Sequence, residues 1–171
     1  MKFLVMSDNH GHWSTVNQVI QHFRKQVDFV FHCGDSEFTA DDPIWEQVDA
    51  VVTGNMDFDP QYRRYQVIET AIGNVYIVHG HLHRVGMNNN ELFDEAVNNQ
   101  CQFVFHGHTH ALYSEYREGI LIANPGSLHK SRGAYPGRTC MLVTVDDQSI
   151  QVDYYDETCQ KIESLSQTYD K

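Results

Sequence analysis

Phe103-Val104-Phe105-His106-Gly107-His108-Thr109-His110 is a short apolar run that stops at a glycine set among three histidines. The same construction recurs along the chain. Phe3-Leu4-Val5-Met6 runs into Ser7-Asp8-Asn9-His10-Gly11, Phe29-Val30-Phe31 into His32-Cys33-Gly34-Asp35, Ala50-Val51-Val52-Thr53 into Gly54-Asn55-Met56-Asp57, and Val75-Tyr76-Ile77-Val78 into His79-Gly80-His81. Runs this short and apolar on both faces read as buried strands that end where the polarity changes. In an open α/β sheet the carboxyl ends of such strands share one rim, where ligands bind, so residues distant in sequence converge on one site.

Between these runs the 3.6-residue period places helices. Val16, Val19, Ile20, Phe23 and Val27 share a face, which predicts a helix over 14–26 with Ser14 or Thr15 as its N-cap. Leu92, Phe93, Ala96 and Val97 mark a shorter helix after Asn88-Asn89-Asn90, and a third is expected over 42–47 with Pro43 in its first turn. Strand pairs are expected over 66–70 and 74–78 turning near Gly73, over 112–117 and 120–123 turning at Glu118-Gly119, and over 140–145 and 150–155 turning at Asp146-Asp147. The class is α/β, and the later hairpins require a mixed sheet or two packed sheets. At 171 residues the chain is expected to be one domain, 1–171, burying about two-thirds of its unfolded surface.

The net charge of −11 argues against a protein that coats nucleic acid, since affinity for a polyanion comes from lysine and arginine neutralising phosphates. It leaves a small phosphate ester open as substrate, because bound divalent cations reverse the local field. Cys33, Cys101, Cys140 and Cys159 lack C-x-x-C spacing and read as reduced cysteines. The few apolar residues before Asp8 are too short for a signal peptide, and no segment is long enough to span a membrane, so a cytoplasmic location is expected.

Asp8-x-His10 and His108-x-His110 each put two ligands at i and i+2, which point the same way in extended chain and can reach one ion. Asp35 follows Gly34 at a strand end, where its two oxygens can bridge two cations or cap a helix. Asn55 offers an amide oxygen, although Gly-Asn is also a turn signal, and His79 opens a His-Gly-His turn that leaves its imidazole facing the rim. Asp8, His10, Asp35, Asn55, His79, His108 and His110 together make seven oxygen and nitrogen donors without a thiolate. That set suits two divalent ions such as Mn²⁺, Fe²⁺, Ni²⁺ or Zn²⁺ better than a structural zinc site.

In this order, Asp-x-His, Gly-Asp, Gly-Asn-x-Asp, His-Gly-His and Gly-His-Thr-His, the chain resembles the calcineurin-like metallophosphoesterase superfamily. Its size and Asn124-Pro125-Gly126-Ser127 resemble the compact YfcE-type phosphodiesterase branch. The resemblance implies a four-layer α/β/β/α sandwich. It implies Asp8, His10 and His110 on one metal, Asn55, His79 and His108 on the other, and Asp35 between them, with in-line attack of a metal-bound hydroxide on phosphorus. Manganese is the metal expected first.

Met56 stands where much of that superfamily has a histidine credited with helping the leaving oxygen, and methionine cannot donate a proton; members of the compact branch often lack that histidine too. The Asp57 that would orient such a histidine is left with a turn or a supporting hydrogen bond. His81, or else His12, is the candidate substitute acid, while Asn9 and Arg132, or Arg138, are candidates to touch a substrate phosphate. Non-catalytic use of the fold as a metal-binding or protein-interaction scaffold is the alternative, since the retromer subunit Vps29 in this superfamily serves protein interaction and has lost several ligand positions. All seven donors present here favour the enzyme. A homo-oligomer paired through an exposed hairpin edge is compatible with the sequence.

Overall fold

The computed structural model describes residues Met1–Lys171. Its elements in chain order are β1 (Lys2–Met6), α1 (Trp13–Phe23), β2 (Phe29–His32), β3 (Ala50–Val51), β4 (Tyr65–Thr70), β5 (Gly73–Val78), α2 (Asn90–Asn98), β6 (Cys101–Phe105), β7 (Tyr113–Arg117), β8 (Ile120–Asn124), β9 (Thr139–Val145), β10 (Ser149–Asp156) and β11 (Gln167–Asp170). The first sheet has the order β11-β10-β9-β1-β2-β3 and the second β4-β5-β6-β8-β7. Both are mixed: β1, β2 and β3 run parallel and are extended by antiparallel β9, β10 and β11, while parallel β5, β6 and β8 are flanked by antiparallel β4 and β7.

Alternation along each strand explains why the runs are apolar on both faces. Phe3, Val5 and Phe31 pack inward against Val75, Ile77, Phe103 and Phe105 of the facing sheet. Their neighbours Leu4, Met6 and Val30 turn outward to meet Val16, Val19, Ile20 and Phe23 of α1. On the other side Tyr76, Val78 and Val104 meet Leu92 and Ala96 of α2. The result is the four-layer α/β/β/α sandwich. The two sheets are tied by aromatic contacts, with the Phe3 ring 5.5 Å from Phe103 and 5.8 Å from Phe105. Each such side chain contributes about 1.5–3 kcal/mol by leaving water.

Several local expectations are corrected. α1 begins at Trp13, so Ser14 and Thr15 lie inside its first turn; His12 holds the cap position without a side-chain cap bond. The chain leaves the site loop through Gly11 at φ 79°, which starts the helix earlier than the capping residues imply. Residues Arg24–Gln26 tighten into a 3-10 turn, and Val27 is already extended. Pro43–Gln47 is likewise a 3-10 turn, capped by the Asp42 carboxylate accepting from Ile44 N. Strand β11 carried no apolar signal, because it is a polar edge strand paired only to β10. The four cysteines are free and buried. No helix is long and apolar enough to cross a membrane.

Candidate metal centre

The carboxyl ends of β1, β2, β3, β5 and β6 meet at one rim, and backbone hydrogen bonds stitch their loops together. Asp8 N donates to Gly34 O, His10 N to Asp35 O and Gly11 N to Ser36 O, at 3.0, 3.1 and 2.9 Å. Gly107 N donates to His79 O at 3.0 Å, tying the loops of the second sheet. The end of β8 and the turn after it clamp both groups: Ser127 Oγ donates to Asp8 O at 2.8 Å, and Asn124 Nδ2 to Gly107 O at 2.9 Å.

The candidate ligand residues reach the centre by kinked backbone. Asp8, His10, Asp35, His108 and His110 all have positive φ, at 54°, 42°, 54°, 70° and 57°. The expectation that i and i+2 converge because the chain is extended is therefore corrected: left-handed turns aim these side chains. Histidine, aspartate and asparagine enter that region more readily than other side chains, and such strain concentrates at functional sites. Two glycines are required by space. A Cβ on Gly107 would collide with Ser7 Oγ and Asp8 Oδ2, and one on Gly54 would come within 2.5 Å of Asp35 N.

Asp8, His10, Asp35 and His110 bring one donor atom each within 4.8 Å of one another. His79 Nε2 lies 3.3 Å from Asp35 Oδ2, 3.9 Å from Asp8 Oδ1 and 3.3 Å from Asn55 Oδ1. The His108 ring packs 5.2 Å from that of His79, and its backbone N donates to Asp8 Oδ2 at 3.0 Å. All seven candidate ligands are thus gathered at one place.

The outer nitrogens of three of these rings fix what the inner ones offer. His79 Nδ1 donates to Cys33 O at 2.8 Å, His110 Nδ1 to Lys130 O at 2.9 Å, and His10 Nδ1 pairs with Glu37 Oε1 at 2.7 Å. Carbonyl and carboxylate oxygens only accept, so in each neutral ring Nε2 is left as a bare lone pair. His10 Nε2 and His110 Nε2 face each other at 3.2 Å, and His110 Nε2 lies 3.2 Å from Asp8 Oδ1. Asp8 Oδ1 is buried without a hydrogen-bond partner. Acceptors aimed at acceptors repel unless a proton or a cation stands between them, and that is the requirement a divalent ion meets.

In the metal-free chain a proton on the neighbouring imidazoles meets that requirement. Burial opposes ionisation of Asp8 and Asp35, but the imidazoles beside them win: His110 and His79 hold Asp8 low, and His79 with the Met56 backbone N–H holds Asp35 at about 2. Burial likewise opposes protonation of His79, yet Asp35 and Asp8 raise its pKa above the ordinary value. His108 is shifted down by burial and by His79.

Asp57 supports this arrangement. Its carboxylate accepts from Asp35 N at 2.7 Å, Gly54 N at 2.8 Å, Glu37 N at 2.7 Å and Ser36 Oγ at 3.1 Å. Four donors on one carboxylate lock the Asp35 loop to the Asn55 loop. Met56 is 40% exposed at the lip of the metal cavity, and its N donates to Asp35 Oδ1 at 2.8 Å.

The candidates for substrate and acid roles fare differently. Asn9 is fully buried and does not line the metal cavity, with Nδ2 donating to Ser36 O at 3.1 Å and Oδ1 2.8 Å from His32 Nε2, so its amide joins the two loops. His81 packs 5.4 Å from the His79 ring but lines a separate cavity with Tyr65, Tyr76 and Leu82, rather than the one above the ligands. Arg138 Nε donates to His129 O at 2.9 Å. Arg132 lines the metal cavity. The sequence reading missed two residues there. Glu37 orients His10. His129 lines the cavity with its ring 5.4 Å from His10 and its Nδ1 2.9 Å from His12 Nε2. Only its position two residues after the Asn124–Ser127 turn pointed to it.

An α/β/β/α sandwich whose strand ends converge on a cluster of carboxylates and imidazoles defines a metal-binding phosphoesterase class. Residues 1–148 match the calcineurin-like phosphoesterase superfamily domain, and the chain belongs to that family. It is 29% identical over 96% of both chains to a probable metallophosphoesterase, YsnB, of Bacillus subtilis. It is 30% identical to a probable metallophosphoesterase of Mycoplasma pneumoniae, over 77% of this chain and 81% of that one. Among solved structures, a conserved protein of Streptococcus pneumoniae described as a predicted phosphoesterase superposes with TM-score 0.95 at 33% identity, covering 99% of this chain and 97% of that one. YfcE, a phosphoesterase of Escherichia coli, shares the fold at TM-score 0.64 and 19% identity, with 99% and 98% covered. Vps29 of Cryptosporidium parvum shares it at 0.78 and 18%, with 99% and 98% covered.

Proposed function

We propose that this chain is a divalent-metal-dependent phosphodiesterase that holds two ions. Asp8, His10 and His110 would hold one, Asn55, His79 and His108 the other, and Asp35 would serve both. The observation that carries the reading is the set of bare acceptors around Asp8 Oδ1, a buried carboxylate oxygen with no donor of its own. Bound as a pair, divalent ions supply a nucleophile at neutral pH and neutralise the charge that develops on a phosphoryl group.

The chain's own residues do the rest. Asp57 fixes the backbone that presents Asp35, and Glu37, Cys33 O and Lys130 O hold three imidazoles in the tautomer that leaves Nε2 free. Arg132, at the cavity wall, is placed to take a non-bridging oxygen of the ester. Met56 supplies no proton to the departing alcohol, and His129 is the unassigned imidazole facing the same cavity. The full donor set favours the enzyme over the scaffold reading.

The test is hydrolysis of bis-p-nitrophenyl phosphate and of p-nitrophenyl phosphate with Mn²⁺, Ni²⁺, Fe²⁺ or Zn²⁺, before and after chelation. Metal-dependent turnover with the diester preferred is the expected result. Undiminished turnover by demetallated protein would refute the reading.

A further inference from the structure

Beside the metal cavity, of about 440 Å³, lies a larger one of about 740 Å³, and His108 and Arg132 line both. Its far wall is built from the segment leading into α2 and from β7, through Asn88, Asn89, Asn90, Glu115 and Arg117. A volume in this range suits a small-molecule group. A phosphodiester held at the metals must put one of its alcohols on this side or in open solvent.

The wall mixes donors and acceptors held in place by one another. Asn89 Nδ2 lies 3.4 Å from Glu115 Oε1, which leaves the second carboxylate oxygen free to accept. Arg117 donates from one terminal nitrogen to Asn90 Oδ1 at 3.0 Å and rests its guanidinium 3.9 Å from the centre of the Phe93 ring, while its Nε has no partner. Asn88 Oδ1 accepts from Asn90 N at 3.0 Å, leaving its amide N–H groups to donate. Hydroxyls give and take hydrogen bonds at once. Adjacent hydroxyls on a carboxylate, with amide and guanidinium donors alongside, match such a wall, as in the acidic residue that binds a ribose diol. A second anionic group would meet the Glu115 carboxylate, and apart from the imidazoles of His106 and His108 a stacked base would find only the Tyr113 ring lining the cavity.

We infer that this cavity is a subsite for a hydroxyl-rich ester alcohol, so that the substrate is a phosphodiester bearing a vicinal diol, from glycerol or from a sugar. This rests on the phosphodiesterase reading of the metal centre. Glu115 and Asn88 are the residues that set the preference.

The experiment uses p-nitrophenyl phosphodiesters whose second alcohol is propanol, glycerol or the 5′-hydroxyl of methyl riboside, with the Mn²⁺-loaded full chain. The glyceryl or ribosyl ester should exceed the propyl ester in kcat/KM by about tenfold or more, mostly through KM, as one or two hydrogen bonds to a charged group would give. Whichever of the two leads names the source of the diol. Glu115→Gln and Asn88→Ala should each shrink that ratio. As a readout independent of turnover, the side-chain amide resonances of Asn88, Asn89 and Asn90 should shift on titration with methyl riboside or glycerol and stay still with propanol. Equal kcat/KM for propyl and hydroxylated esters, or a preference untouched by both variants, overturns the subsite. Absence of hydrolysis for every ester overturns the phosphodiesterase reading, and this proposal with it.

Discussion

The two sheets contribute unlike chemistry to the rim. Loops of the first, after β1, β2 and β3, bring both carboxylates, Asp8 and Asp35, with His10 and Asn55; loops of the second, after β5 and β6, bring only imidazoles, His79, His108 and His110. Neither half alone is a site. The anionic half would be a pair of carboxylates beneath one imidazole, and the imidazole half three rings with no anion between them. The centre exists because Phe3, Val5 and Phe31 pack against Val75, Ile77, Phe103 and Phe105, which sets the two loop groups opposite one another. The lesson is that metal affinity and sheet packing are coupled here, so bound ions should stabilise the sandwich by linkage.

The largest expected effect breaks the anionic half. Asp8→Ala removes the orphaned oxygen and the acceptor for His108 N, and phosphodiester turnover should fall by more than the 10–100-fold typical of supporting residues, on the order of 10³-fold. Steady-state kinetics at saturating Mn²⁺ measure it. Next comes the clamp on that half: Asp57→Asn keeps shape but loses acceptor capacity for four donors, and should cost about 10–100-fold in metal affinity or rate. Titration with Mn²⁺ decides, and unchanged affinity would show that the Asp35 loop holds itself.

The two halves also titrate in opposite senses in the metal-free chain. His79 has a raised pKa, so its contribution to stability is complete below about 6.5 and is lost as pH rises through the shifted value. Asp35 has a lowered one, so its contribution is present above about 4 and is lost as pH falls toward about 2. His32 and His106, held at about 4 by burial, and His81 and His108, also lowered, act against His79, since their unfolded imidazoles take up protons below about 6.5. Metal-free protein should therefore be less stable near pH 5.5 than near pH 8.5, and Mn²⁺ affinity should rise over the same interval because the ion needs unprotonated Nε2. Urea unfolding at the two pH values, with and without Mn²⁺, tests both signs. The smallest effect lies away from the rim: Ser14→Ala, inside the first turn of α1 and not its cap, should change stability by less than about 0.5 kcal/mol.

What could be read from the sequence followed from physical locality. Strands such as Phe103–Phe105 were legible because both faces are buried, one on Phe3 and one on α2, leaving no polar position. The seven donors were legible because each follows such a strand directly. Strand β11 was not, since a polar edge strand has no pattern to betray it. Asn9 misled because a polar residue beside a ligand looks available, while its amide joins two loops. Glu37 and His129 are defined by contacts across the site, with His10 as the shared neighbour; no local signal records Glu37, and His129 has only its place after the Asn124–Ser127 turn.

Metal content tests the central claim most directly. Equilibrium dialysis against Mn²⁺ should give two ions per wild-type chain, and fewer for both Asp35→Ala, from the first sheet, and His79→Ala, from the second. One ion or none in the wild type, or two retained in both variants, would contradict a centre shared between the sheets.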